Sequence, residues 1–416
     1  MKIITVEKIG KNMEGAIELP ASKSISNRAL IIQSLCKRKF KINNLSEAND
    51  TAILKEILEK IKMGKETTFN VGDGGTPYRF LTTYLAYISG KWFLAGSDRM
   101  HERPIAPLVD ALRQLGAEIN YLDNEGFPPL EIIGGTLKGG KVNMDASVSS
   151  QFISSLLMIV PMLDKGIELT MTNLPVSSPY IKMTLKMMEY FGVKHTIVDN
   201  TITVLPQKYK SKEITIESDW TAASYWYEIL AFNEEGNLFF PGLQKGSWQG
   251  DAIVENIYKY MGIETFFEAK GVRLIYNKDK LFQSHISETF LHLPDLATTL
   301  FATSAGVKRE GIFWGLDTLK LKESDRLEAG RKELAKFGIE AHISTTNTLY
   351  IPIINEIPSQ PITINTYNDH RMAMAFAPLC IPFGKLIIEN PDVVKKSYPN
   401  FWEDLKKVGF NISGIN

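Results

Sequence analysis

The chain has 416 residues, 44% apolar and 23% charged, which is long enough for more than one globular domain. Its 47 Lys and Arg balance 47 Asp and Glu. That parity excludes the basic excess of a nucleic-acid or membrane-surface protein. Two cysteines, Cys36 and Cys380, cannot form a disulfide framework; with no apolar core in MKIITVEKIGKNMEG and no run of about 18 apolar residues, a soluble cytoplasmic protein is expected.

In chain order, the first informative stretch is ASKSISNR at 21–28, ahead of the apolar run ALIIQSL. It predicts a helix capped by Ser22, Ser24 or Ser26, whose free amides attract an anion and whose pull is reinforced by Lys23 and Arg28. Taken alone, a capped surface helix with two solvated cations accounts for it equally well. VGDGGTPYRF, at 71–80, reads as a glycine loop opening a helix, with Thr76 as N-cap and Pro77 at the first helical position. Such a loop can cradle phosphate or carboxylate, although Asp73 would repel one and a plain turn is the commoner use. SDRMHERPI spaces Arg99 and Arg103 four apart, so a helix or tight turn would face both one way. SVSSQFISSLLMIV places Ser149, Ser150 and Gln151 at the start of an apolar helix, as donors and acceptors suited to a polyol. VSSPYI adds Ser177 and Tyr180.

The second half continues the pattern. LPDLATTL puts Asp295 before an apolar helix, either as its N-cap or as a general base. LKLKESDRL sets Glu323 beside Lys322 and Arg326, where a carboxylate between cations stays ionised; an ordinary surface salt-bridge helix has the same sequence appearance. YNDHRMAMAFAPL is the most specific stretch. Asn368 and Asp369 cap a helix, and His370 and Arg371 occupy its first turn, where cations oppose the dipole unless an anion binds. VVKKSYP offers Lys395 and Lys396, which by themselves read as solvated. A neutral chain whose Lys and Arg keep marking helix starts suits small ligands carrying several negative charges.

Five segments end an amphipathic run in Gly and then turn extended, with Gly116, Gly192, Gly262, Gly338 and Gly409 lying 76, 70, 76 and 71 residues apart. Glycine there suits a left-handed residue that closes a helix and releases a strand. A weaker copy ends at Gly64. The spacing predicts a six-fold α/β repeat with a shortened first unit, arranged as two lobes of three units.

These motifs, in this order and over essentially the whole chain, resemble the enolpyruvyl transferase family, and within it the branch that joins phosphoenolpyruvate to the 5-hydroxyl of shikimate 3-phosphate. The resemblance implies two lobes of three βαβαββ units, with residues 1–20 plus 219–416 forming a discontinuous C-terminal lobe, 21–218 the N-terminal lobe, and the ligands bound in the cleft. It implies addition of the hydroxyl to the enol carbon, protonation of the methylene carbon, and loss of phosphate from a tetrahedral intermediate. By resemblance, Lys23, Ser24, Arg28, Ser149, Ser150, Ser177, Tyr180, Asp295 and Lys322 hold shikimate 3-phosphate. Lys23, Gly75, Arg103, Gln151, Arg326, Arg371 and Lys396 hold phosphoenolpyruvate. Asp295 matches the proton acceptor and Glu323 the proton donor, with Lys23 close to the chemistry. Neither metal nor cofactor is implied, and a monomer is expected.

Several positions depart from the family pattern: Asp73 and Thr318 replace asparagines, Phe80 replaces a proline, and the first repeat lacks a strand or hairpin between Asp50 and Asp73. They motivate a competing expectation, a non-catalytic protein that binds shikimate 3-phosphate. The sister reaction on a UDP-amino sugar typically uses a cysteine in a mobile loop, and neither Cys36 nor Cys380 lies in the arginine-rich stretch at 97–105.

Overall fold

The computed structural model describes residues 2–64, 66–173, 176–281, 284–353 and 361–415. The chain divides into two compact units, one formed by Met1–Ala21 with Glu217–Asn416 and the other by Ser22–Ile216. Among the described residues there are six sheets, five of four strands and one of two.

The five larger sheets share one plan. In the sheet of Thr68–Asn70, Gly90–Ala95, Glu118–Tyr121 and Leu130–Gly134, the first two strands pair in parallel. The second and the third then both pair antiparallel with the fourth. The sheet of Gly140–Met144, Ile167–Met171, Thr196–Val198 and Thr201–Val204 repeats this order. So does that of His285–Thr289, Glu310–Trp314, His342–Ile343 and Leu349–Ile351. The first strands of the chain complete two more sheets. Glu14–Ala16 pairs in parallel with Asn237–Pro241, and Ile3–Lys8 lies between Leu386–Glu389 and Phe410–Ile415. The two-stranded sheet is the parallel pair alone, Ile42–Asn43 with Ile214–Thr215. After it, helix Asn49–Met63 runs into Gly64 and then directly into the strand Thr68–Asn70 of the next sheet, so the antiparallel hairpin of the other sheets has no sequence to form it. A repeated unit with a shortened first copy is consistent with this topology.

The spaced glycines explain how each unit turns from helix to strand. Gly64, Gly116, Gly192, Gly262, Gly338 and Gly409 all have φ between 67° and 96°, which a side chain would strain.

Each unit buries three helices in its middle. In Ser22–Ile216 these are Lys23–Leu35, Gly75–Tyr87 and Ser150–Ile159; in the other unit they are Trp220–Asn233, Ala297–Gly306 and His370–Phe376. They are buried on nearly every side, so even their polar residues face the interior. The polar residues they do carry are mostly small. Thr303, for example, turns its hydroxyl back to the Thr299 carbonyl at 2.8 Å, so burial leaves no donor unpaid at that point. The stretches at 21–28, 71–80, 147–160, 293–300 and 367–379 lie at or near the N-terminal ends of five of these helices, whereas those at 97–105, 176–181, 319–327 and 393–399 lie outside them.

Candidate active site

In the unit Ser22–Ile216, Ser22 caps the first helix, its hydroxyl accepting from the Ile25 amide at 3.5 Å, while the Ser26 hydroxyl accepts from the Ser46 amide at 3.0 Å. Lys23 opens the helix and its Nζ lies 3.0 Å from Asp50 Oδ2. Arg28 is buried. Its Nε donates to Thr184 Oγ1 at 2.7 Å, Nη1 to the Ser24 carbonyl at 2.9 Å, and Nη2 to Ser154 Oγ at 3.2 Å and the Tyr180 carbonyl at 3.3 Å. Its guanidinium also lies 5.4 Å from the centre of the Phe80 ring. Burial brings Arg28 down to about 10. Ser149 caps the helix Ser150–Ile159, and Ser177, with φ 54°, leads into Ser178–Tyr190 without a side-chain cap.

The glycine loop departs from expectation. Helix Gly75–Tyr87 begins one residue before Thr76, with Gly74 at the N-cap and its carbonyl accepting from the Tyr78 amide at 2.9 Å. Pro77 therefore sits third in the helix, still within the first turn, where its missing N–H costs no hydrogen bond. Gly75 lies against two arginines. A Cβ built there would fall 2.7 Å from both terminal nitrogens of Arg103 and 2.8 Å from Arg79 Nη1. Asp73 points its carboxylate at the Ser97 hydroxyl, and its main-chain carbonyl receives Arg103 Nη1 at 3.5 Å.

Arg99 and Arg103 do not face the same way, because the intervening helix, Asp98–His101, is one turn long and ends before Arg103. Arg99 reaches out to Glu102 at 2.8 Å while Arg103 is buried.

In the other unit, Asp295 is not a cap. Helix Ala297–Gly306 starts two residues later with Leu296 at its N-cap, and the Asp295 carboxylate is instead surrounded by cations. Arg371 Nη2 is 2.7 Å away, Arg326 Nη1 3.1 Å and Lys322 Nζ 3.6 Å. Burial opposes its ionisation, but Arg371, Lys322 and Arg326 together hold it well below the usual carboxylate range. Burial lowers Lys322, with Asp295 working against that. Glu323 lies 2.7 Å from Arg326 Nη2 and 3.4 Å from Lys396 Nζ.

Lys322 and Arg326 do not share a helix. Lys322 is extended after the 3-10 turn Asp317–Leu321, and Arg326 opens helix Arg326–Ala335 behind its N-cap Asp325. Lys396 is likewise not solvated: only its neighbour Lys395 is, beside Asp392 at 3.2 Å. Asp369 alone caps its helix, accepting from the Arg371 amide at 2.9 Å; Asn368 instead accepts from Asn390 at 2.8 Å.

Several contacts of the site escaped the sequence reading, which singles out Asp369 only as a cap. Asp369 accepts from Arg326 Nε at 2.7 Å and Ser324 Oγ at 3.1 Å, and Arg326 holds it ionised against burial. Tyr225 meets Arg371 Nη1 at 3.3 Å, and burial pushes its hydroxyl up to about 12. Arg79 donates to Gln151 Oε1 at 2.6 Å and lies over the Phe152 ring. The available signal for Arg79 and Asp50 was a charged residue on an otherwise apolar helix face. In sum, one unit gathers Lys23, Arg28, Arg79 and Arg103 with Asp50, and the other gathers Lys322, Arg326, Arg371 and Lys396 with Asp295, Glu323 and Asp369. The first set carries a cationic excess, and the second sets its four cations among three carboxylates.

An α/β fold of small sheets and buried helices, with buried cations grouped in each unit, defines a protein suited to small polyanions. A sequence profile of EPSP synthase (3-phosphoshikimate 1-carboxyvinyltransferase) matches residues 7–69 and 59–405. A 3-phosphoshikimate 1-carboxyvinyltransferase of Bacteroides fragilis (strain YCH46) is 43% identical over 401 residues, covering 96% of each chain. That of Haemophilus influenzae (strain KW20 / Rd) is 34% identical over 448 residues, covering 98% of this chain and 99% of its own. The solved EPSP synthase of Acinetobacter baumannii, at 20% identity, shares the fold over 100% of both chains with a TM-score of 0.79. The chain belongs to the EPSP synthase family. Among the described residues, no helix is long and apolar enough to cross a membrane.

Proposed function

We propose that this chain transfers the enolpyruvyl group of phosphoenolpyruvate to the 5-hydroxyl of shikimate 3-phosphate and releases phosphate. The transferase activity follows from family membership over nearly the full length. The assignment of residues rests on the chain's own geometry, and the observation that carries it is the pair of carboxylates, Asp295 and Glu323, set among Lys322, Arg326, Arg371 and Lys396.

Each carboxylate has a separate task. Asp295, held ionised, takes the hydroxyl proton as the substrate oxygen bonds to the enol carbon. Glu323 gives a proton to the methylene carbon. Arg326 Nη2 at 2.7 Å and Lys396 Nζ at 3.4 Å orient its carboxyl. The tetrahedral intermediate then loses phosphate, whose leaving oxygen takes the proton held on Asp295, while Glu323 takes back the methyl proton as the double bond reforms.

Lys23, Ser24, Arg28, Ser149, Ser150, Ser177, Tyr180 and Lys322 serve the phosphorylated acceptor. Gly75, Arg103, Gln151, Arg326, Arg371 and Lys396 serve phosphoenolpyruvate, with Lys23 common to both. Arg28 does so with most of its donors already committed within the protein, which fixes its orientation. The two units are proposed as the two lobes of one enzyme, each supplying its own set of side chains, and a cytoplasmic monomer as the working form.

The test follows phosphate release from purified protein with both substrates, with UDP-N-acetylglucosamine as the control acceptor. In Asp295→Asn, kcat should fall by roughly 10²–10⁴ while both substrates still bind. A wild-type rate in that variant would remove Asp295 from the base role, and binding of shikimate 3-phosphate without any turnover in the wild type would favour a non-catalytic binder.

A further inference from the structure

The cluster around Asp295 contains one more carboxyl group that the proposed reaction does not use. Asp251 lies in the 3-10 turn Gly250–Ile253 and is 2% exposed. The Thr221 hydroxyl donates to its Oδ2. Thr221 and Tyr225 stand one turn apart on the buried helix Trp220–Asn233 and so share a face. Tyr225 meets Arg371 Nη1 at 3.3 Å, and Arg371 Nη2 lies 2.7 Å from Asp295 Oδ2. A single helical turn thus brings the Asp251 carboxyl into the same buried neighbourhood as the proposed base. Among the described residues, the charged groups acting on Asp251 from the surrounding elements include Asp295, Arg371 and, at the N-cap of the Trp220 helix, Asp219.

We propose that Asp251 is a positioning residue that sets the basicity of Asp295 through its charge. The inference rests on the base role given to Asp295 above. Two carboxyls sharing a buried site titrate as a pair, and the proton settles on the member with less cationic support. That member is Asp251. Burial and the Asp295 charge push it up to about 7, whereas three cations hold Asp295 ionised. An ionised Asp251 raises the proton affinity of Asp295; a protonated one lowers it. The substrate proton passes only from the hydroxyl oxygen to Asp295 as the new carbon–oxygen bond forms. Asp251 acts on that step by its field and transfers no proton itself.

The test is kcat against pH, from 5.5 to 8.5, for wild type, Asp251→Asn and Thr221→Val. Wild type should rise through a bend in the neutral range. Asp251→Asn, locked in the uncharged form, should lose the bend. Its rate should match wild type within about twofold at pH 5.5 and fall roughly three- to tenfold below it at pH 8.5, with KM little changed. Thr221→Val removes a hydroxyl that favours the carboxylate, so its bend should move to higher pH. If Asp251→Asn shows no cooperative thermal unfolding transition, and is therefore not folded, Thr221→Val alone decides. A profile of Asp251→Asn parallel to wild type at every pH, the mark of a merely structural role, would overturn the proposal, as would a Thr221→Val bend that stays in place or moves to lower pH. A wild-type rate in Asp295→Asn is the separate result that would overturn the base assignment itself.

Discussion

Replacing Asp369 by Asn removes one negative charge from a fully buried site and leaves nearly the same shape. Asp369 is 0% exposed and accepts four hydrogen bonds: from Arg326 Nε at 2.7 Å, Arg326 Nη2 at 3.3 Å, Ser324 Oγ at 3.1 Å and the Arg371 amide at 2.9 Å. An asparagine can keep the helix cap through its Oδ1, worth about 1 kcal/mol. Its Nδ2 then faces the donors of Arg326 or Ser324. Arg326, 1% exposed, retains Glu323 and Asp295 but loses its most buried counter-charge. Breaking one partner of a buried ion pair costs about 3–5 kcal/mol. With a urea m-value of about 2–3 kcal/mol/M, the unfolding midpoint should fall by roughly 1–2.5 M.

Tryptophan fluorescence suits the assay, since Trp220 and Trp226 are buried in the same unit. The pH dependence supplies an internal control. Arg326 depresses the folded-state value of Asp369 despite burial, so its contribution is present above the unfolded value near 3.9 and lost as pH falls through the lower folded value. The gap between wild type and variant should therefore narrow below about pH 4. A loss under about 1 kcal/mol at pH 7, or a gap indifferent to acid, would show that Arg326 is balanced without Asp369 and refute the reasoning.

Three further outcomes are expected. Arg28→Lys keeps the charge but cannot reproduce a fork aimed at Thr184, Ser24, Ser154 and Tyr180, so it should cost about 2–3 kcal/mol and raise KM for the phosphorylated acceptor; an unchanged Tm would count against the fork. Gly75→Ala puts a methyl group 2.7 Å from the Arg103 guanidinium, so displacement of Arg103 and Arg79 should raise KM for phosphoenolpyruvate about tenfold, or about 1.4 kcal/mol, a shift that steady-state kinetics would show or fail to show. Burial holds the Glu228 carboxyl protonated far above its usual range, so the stability it contributes falls as pH rises above the unfolded value near 4.3. Glu228→Gln should match wild type near pH 4 and exceed it by about 1 kcal/mol or more at pH 9, and a difference constant with pH would contradict this.

Much of the fold was legible because its signals are local. A glycine that must take a positive φ after a helix marks the same junction wherever the unit recurs, and the six glycines show the required geometry. Ser22 and Asp369 act as caps, as their sequence contexts suggested, because a cap needs only a hydroxyl or carboxylate and the next two or three amides. Thr76 misled because a glycine-rich run lets the helix begin earlier than any cap residue indicates.

The site divides along the same line. Which residues could serve anionic chemistry was readable in one dimension, since charge and donor type belong to each side chain. Which cation neutralises which carboxylate depends on the folded arrangement. Arg99 and Lys395 turn outward while Arg103 and Lys396 turn inward, though each pair reads alike in one dimension. Asp251 and Asp295, 44 residues apart, are linked through Thr221 and Tyr225, one turn apart on the Trp220–Asn233 helix, and then through Arg371. Such pairings depend on how buried helices stack, and the cost of burying an unpaired charge then selects one arrangement among many that the composition allows.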